Sequence, residues 1–339
     1  MSMNRITAGL MNDQSLKYLN LNMKSLSDIQ ERLSSGRNIN RPSDDPVGLT
    51  RILNLANDLK TDNRYKKNVE NGQTLANTAD TAINNMVNLV HRVQELTTQA
   101  ANVANNQDGR NAIALEVDQI IDQLVQLANT NVGGKYIFAG LRTDQPPYVR
   151  SASALGGAQA PPINDLIVFN GTPLTEPWQQ DVEIARGVTM TLNINGDALL
   201  GNTGAGLTAA VPPLTPGPNV GGSGLFHTLS ELLVDLRYPD PAAPDDQLIE
   251  IRNRLDDLTS DLNTVLAQQA VVGAVVNRLD LTSQRIQERN SVLTNQFADI
   301  QNIDMAETIA NLNNQQNMYQ ASLGVTARVV QTTLLNYLR

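Results

Sequence analysis

Residues able to do acid–base, nucleophilic or metal chemistry are few in this 339-residue chain, and they are scattered. Histidine occurs at His91 and His227 alone. His91 stands in "NLVHRVQEL", a helical pattern in which an imidazole reads as a face residue rather than a ligand. Adjacent acids occur at Asp44–Asp45, Asp245–Asp246 and Asp256–Asp257. Successive residues of a helix point about 100° apart, so such neighbours suit caps and solvated faces, not a facing acid/base pair. "GGSG" at 221–224 lacks the lysine and preceding strand of a phosphate loop, and no H-E-x-x-H zinc pattern occurs. Cysteine is absent, which removes thiol chemistry and any disulfide framework. Trp178 is a candidate for stacking on a sugar, with a buried ring the simpler expectation. The inventory predicts no catalytic residue, no metal and no cofactor, and points away from an enzyme.

The elements around these residues carry more information than the residues do. Hydrophobic side chains make up 41% of the sequence and aromatics only 4%, which predicts a thin aliphatic core of long helices packed side by side. A net charge of −9, with no Lys/Arg-rich run, argues against nucleic acid. No stretch approaches the roughly 20 apolar residues of a membrane span. The opening "MSMNRITAGLMNDQSLKYLN" lacks the apolar heart of a secretory signal, and by that rule alone reads as cytosolic.

Ile6, Leu10, Leu16, Leu19, Met23, Leu26, Ile29 and Leu33 mark one helical face, interrupted at Asp13. "LSSGRNINRPSDDPVG" then breaks the pattern. In this elbow, Pro42, Ser43, Asp44, Asp45 and Pro46, either Ser43 or Asp45 caps a new helix with Pro46 in its first turn. That helix runs from Val47 towards Val103, softened at Asn71–Gly72, and a third carries Ile113 to Leu127. "GGKYIFAG" predicts a hairpin strand with Tyr136, Phe138 and Gly140. Residues 149–224 hold most of the prolines and the strand-like runs "DLIVFNG", "DVEIARG" and "VTMTLNING", a β-rich insert expected to lie outside the load-bearing body. After Pro244 no proline interrupts the chain, so almost continuous helix is allowed to Arg339, a rod of roughly 140 Å if unbroken.

Near the end of that stretch Met305, Ile309, Leu312, Gln316, Tyr319, Leu323, Thr326, Val330, Thr333 and Tyr337 alternate at spacings of four and three, the beat of a coiled-coil seam. Both terminal seams are lightly hydrophobic, so each helix alone is marginal. The expectation is that the N-terminal seam (Ile6, Leu10, Leu16, Leu19, Met23, Leu26, Leu33) and the C-terminal seam (Ile309, Leu312, Tyr319, Leu323, Val330, Tyr337) pair with each other and with other copies, and order fully only in that assembly. The fold class is then mainly α with a β-rich insert, a discontinuous helical bundle or coiled-coil rod built from both ends of the chain. Its expected domains are 1–40 with 301–339, 41–148 with 225–300, and 149–224. A cytosolic coiled-coil scaffold is the competing reading.

"ERLSSGRNINRPSDDPVG" at 31–48, "LANTNVGGKYIFAGLRTDQPPY" at 127–148 and the C-terminal seam resemble the flagellin superfamily over about residues 1–148 and 225–339. "VFNG", "VEIARGVTMTLNING" and "GLFHTLSELLVDLR" fall where the family has similar segments. "PSDDP" and "GKYIFAG" followed by "TDQPP" are more typical of its junction-type members than of flagellin itself. The resemblance implies export through the flagellar type III channel without a cleaved signal, which replaces the cytosolic reading. It also implies one ring layer of copies between the first hook-associated protein and the flagellin filament, with an export chaperone as a transient partner. The filament subunit is the alternative.

Overall fold

The computed structural model describes residues 3–152, 165–174, 176–201, 224–237 and 244–337. Helix α1 (Met3–Ser35) passes Asp13 unbroken, and α2 (Pro46–Ala100) passes Asn71–Gly72 unbroken. At Gly72 a Cβ would come within 3.0 Å of the Leu192 side chain, so this glycine serves close packing and not flexibility. Next come α3 (Gln107–Ala128) and strands β1 (Asn131–Val132), β2 (Lys135–Tyr136), β3 (Tyr148–Ala152), β4 (Asp165–Phe169), β5 (Asp181–Ala185) and β6 (Val188–Thr191). Helices α4 (Gly196–Leu200), α5 (Leu225–Arg237), α6 (Pro244–Gln301) and α7 (Met305–Tyr337) complete the order. The architecture is mainly helical with a small sheet content, as the periodicities predict.

The helix allowed after Pro244 is almost continuous among the described residues, with one interruption. It breaks at Asn302–Asp304, where Asp304 Oδ1 accepts from the backbone N–H of Ala306 (2.9 Å) and Glu307 (3.2 Å) and caps a new helix. Asn302 pairs instead with Arg37 in an isolated antiparallel bridge. An aspartate with a glutamate three residues on is a helix-start signal that the sequence carried without a proline or glycine to announce it.

Two compact units divide the chain, Met1–Asn63 with Gln287–Arg339, and Arg64–Ile286. This division falls later in the chain than the expected 40/41 and earlier than the expected 300/301, inside α2 and α6, and the second unit contains the insert. In that second unit Met86, Val90 and Val93 of α2, Val117 and Leu124 of α3, Phe226 and Leu229 of α5, and Leu258 and Val265 of α6 build one core. The described part of the insert does not stand outside the body as expected. Ile167, Leu199 and Leu200 are as buried as any helix residue in the same core, as is Tyr148 just before the insert. The Tyr148 ring lies 5.1 Å from Phe169 and 4.9 Å from Phe226, both tilted. Its hydroxyl donates to the Gly201 carbonyl at 3.1 Å. Burial pushes that phenol well above its ordinary pKa.

The strands form three two-stranded antiparallel sheets among the described residues, β1–β2, β3–β4 and β5–β6. The β5–β6 hairpin puts Ile184 and Met190 against Tyr65, Val69, Leu279 and Ile286. Glu183 ties it down: its carboxylate accepts from the Tyr65 hydroxyl (2.9 Å) and the Gly187 N–H (3.1 Å), and its carbonyl from Asn68 Nδ2 (2.8 Å). The Gly187 N–H, with the Tyr65 hydroxyl, holds the Glu183 carboxyl below its ordinary pKa.

Candidate assembly surface of the terminal helices

Helices α1 and α7 lie antiparallel. Asn22 meets Ser322, 300 residues away, while the end of α1 meets the start of α7 through the Arg37–Asn302 bridge. Burial along α1 selects Ser15, Leu19, Asn22, Leu26, Ile29 and Leu33, and along α7 Thr308, Leu312, Gln315, Tyr319, Ser322 and Thr326. Both sets step by four and three, the coiled-coil beat. These residues are only partly covered. Asn22 Nδ2 donates to Ser322 Oγ at 2.8 Å, and Gln315 Nε2 donates to the Asn22 carbonyl at 3.2 Å.

The observed seam keeps part of the expected one. Leu19, Leu26, Ile29, Leu33, Leu312, Tyr319 and Thr326 belong to it, but other members between them sit one residue earlier than predicted. Thr308, Gln315 and Ser322 face α1 where Ile309, Gln316 and Leu323 were expected, and Ser15 and Asn22 face α7 in place of Leu16 and Met23. Apart from Gln316 the displaced residues are apolar and open, with Leu16 43%, Met23 57%, Ile309 45% and Leu323 43% exposed. Leu10, Tyr18 and Leu21 are also exposed, so α1 carries apolar side chains outside its pairing face. Leu16 and Leu21, with Asp13, Lys17, Asn20 and Lys24, line an open depression on its surface. The side chains of Ile6, Val330 and Tyr337 lie outside the described residues.

At the elbow, Asp45 and not Ser43 caps α2, its Oδ1 accepting from the N–H of Val47 (3.0 Å) and Gly48 (2.9 Å). Gly48 is required there, since a Cβ would lie 2.4 Å from Asp45 Oδ2. Asp44 Oδ2 closes the preceding loop by accepting from Asn40 (3.1 Å) and Arg41 (2.8 Å). The Arg41 N–H holds the Asp44 carboxyl below its ordinary pKa. Gly36, at φ 69°, ends α1, and Arg41 reaches back to Glu31 at 2.7 Å. Pro42, Ser43 and Pro46 are exposed.

The predicted hairpin is shorter than expected. Tyr136 belongs to it, opposite Asn131, with the turn at Gly133 and Gly134 (φ 59° and 84°). Phe138 and Gly140 lie beyond the strand. Phe138 is wholly buried and its carbonyl accepts from Gly196 N–H at 2.8 Å, which ties the segment to α4. Gly140, at φ 65°, turns the chain against Thr172.

The residues weighed for chemistry are engaged structurally. His91 is exposed and meets Gln94 at 3.3 Å, and half-buried His227 meets Glu231 at 3.3 Å. Arg254 binds Glu231, Asp235 and Asp257, joining α5 to α6. Asp235 is nearly buried, and that burial raises its pKa to about 6 against the pull of Arg254. Trp178 is half-buried. The side chains of Asp245 and Asp246, and residues 221–223 of "GGSG", lie outside the described residues. Among the described residues no group of three His, Cys, Asp or Glu side chains could hold a metal ion, and no helix is long and apolar enough to cross a membrane.

A pair of helices drawn from both ends of the chain, together with a discontinuous helical body, is the layout of a flagellar building block. Residues 6–143 match the bacterial flagellin N-terminal helical region and residues 255–338 the bacterial flagellin C-terminal helical region, and the chain belongs to the flagellin superfamily. It is similar to flagellar hook-associated protein 3 of Escherichia coli, 24% identical over 325 residues and 94% of each chain. It is also similar to flagellin of Bacillus subtilis, 26% identical over 322 residues and 93% of each chain. The fold matches that of flagellar hook-associated protein 3 from Legionella pneumophila with a TM-score of 0.57 at 16% identity, covering 74% of this chain and 98% of that one.

Proposed function

We propose that this chain is the adaptor that joins hook to filament in a bacterial flagellum. It acts by assembly and carries out no catalysis. It leaves the cell through the flagellar type III export apparatus without a cleaved signal, escorted by an export chaperone. Outside the cell it forms one ring layer of copies, with the first hook-associated protein on one side and flagellin on the other.

The observation that carries this reading is the open stripe on α1 and α7. Exposed apolar side chains grouped along a helix mark an interaction surface, and the intramolecular pair covers one face only. The terminal pair therefore completes its burial among neighbouring copies, through Leu10, Leu16, Met23, Ile309 and Leu323. The elbow at Pro42–Pro46, exposed as it is, adds a contact surface for an adjacent subunit. End-to-end similarity to hook-associated protein 3 supports a junction layer as the particular assembly.

A second reading, the filament subunit itself, draws on the comparable similarity to flagellin. Purified chain added to hook fragments capped with the first hook-associated protein separates the two by electron microscopy. A single added layer that then accepts flagellin is expected. Unlimited growth by this chain alone would establish the filament reading instead.

A further inference from the structure

Four helices of the Arg64–Ile286 unit stand round one core, and their side-chain contacts give the order. Arg92 of α2 meets Glu116 of α3 at 2.8 Å, and Arg237 of α5 meets Asp118 of α3 at 3.2 Å. Arg254 of α6 meets Asp235 of α5 at 2.9 Å, and Gln94 of α2 donates to Thr259 of α6 at 3.3 Å. Each helix thus touches two neighbours, and α3 and α6 stand at opposite corners. Val117 and Leu124 turn α3 towards the core, and Val265 and Val272 do so for α6. On the far side of α3, Ala112, Leu115, Gln119 and Asp122 follow at steps of three and four, all exposed. On the far side of α6, Ala267, Val271, Ala274 and Arg278 keep the same steps and are exposed as well. The two stripes therefore open in opposite directions.

We propose that the outer stripe of α3 on one copy docks on the outer stripe of α6 on the next, a heterologous side-to-side contact of the body. The stripes match in charge and in spacing. Leu115, 62% exposed, stands seven residues before Asp122, and Val271, 57% exposed, stands seven before Arg278. α6 runs antiparallel to α2 through Gln73–Asp280, Asn84–Gln269 and Gln94–Thr259. α3 also turns back along α2, bringing Glu116 to Arg92. In copies that point the same way α3 and α6 are therefore parallel, and Leu115 reaches Val271 as Asp122 reaches Arg278. Asp122 holds Arg150 and is still 57% exposed, while Arg278 has no ion-pair partner among the described residues. Between Asp261 and Arg278 the sequence of α6 carries no charge, so copies with a net charge of −9 repel least there. The contact rests on the assembly reading above and adds to it the faces by which neighbouring bodies meet.

The absence of cysteine permits a direct test on the full chain. Leu115→Cys and Val271→Cys are placed together in one chain, assembled on hook fragments and treated with a short bis-maleimide. A ladder of covalently joined chains is expected, because every link takes one face from each copy. Stripes that point apart cannot be linked within one molecule. Either substitution alone should leave chains at the size of one copy. Assembled double variant that gives no ladder would overturn the proposal. Links in Val271→Cys alone would overturn it too, because α6 would then meet α6. Arg278→Glu should raise the concentration needed for assembly roughly tenfold and leave the melting of the free chain unchanged. Assembly of that variant at the unaltered concentration would overturn the charge-matched contact. Growth of filaments by this chain alone would refute the junction reading while the ladder still formed, since like copies lie side by side in either assembly.

Discussion

Leu323→Asp tests the division of labour on α7. Leu323 is 43% exposed in the single chain, so a little over half of the side chain is covered there and the carboxylate should cost the isolated molecule roughly 1–2 kcal/mol. In an assembly that covers the stripe, each copy forgoes burial of that remaining 43%. At about 1.5–3 kcal/mol for a whole leucine this comes to roughly 0.6–1.3 kcal/mol. Desolvating an unpaired polar group adds about 1–3 kcal/mol. The sum, about 2–4 kcal/mol per copy, raises the concentration needed for assembly roughly 30- to 1000-fold at 1.4 kcal/mol per tenfold. Thermal unfolding of the single chain and sedimentation of hook-seeded assemblies measure the two effects apart. Leu312→Asp, within the intramolecular seam, should damage both. The reasoning fails if Leu323→Asp assembles at the unaltered concentration, or if it melts the isolated chain as readily as Leu312→Asp does.

Three further outcomes are expected. Asp235→Asn should flatten the pH dependence of stability between about pH 4 and 6. The folded pKa is raised, so the favourable contribution is complete below the ordinary carboxylate value and is lost as pH climbs through about 6; denaturant melts across that window read the slope. Phe138→Ala should cost about 3–5 kcal/mol in urea unfolding, the usual range for a fully buried phenylalanine. Deleting residues 150–201 should unfold the Arg64–Ile286 unit, seen as lost protection from hydrogen exchange in α3 and α5, because it removes Ile167, Leu199 and Leu200 from the core.

Local signals were legible where one short stretch decides the outcome. The Asp45 cap ahead of Pro46, the Gly133–Gly134 turn and the runs that became β4, β5 and β6 all follow from neighbouring residues. The rotation of the terminal pair was not legible, because Asn22 and Met23 repeat at the same heptad spacing. Asn22 donates to Ser322, a contact that no window on the sequence spans. The place of the insert was hidden for a related reason. Prolines and glycines describe its turns correctly, but Tyr148, Ile167 and Leu200 acquire their burial from helices that precede and follow it in the chain.

Because Asn22 finds Ser322 only across 300 intervening positions, α1 is manufactured long before the helix that shelters it. For that whole interval its greasy side has no mate within its own molecule. A nascent copy is thus sticky at its front by default and shuts late.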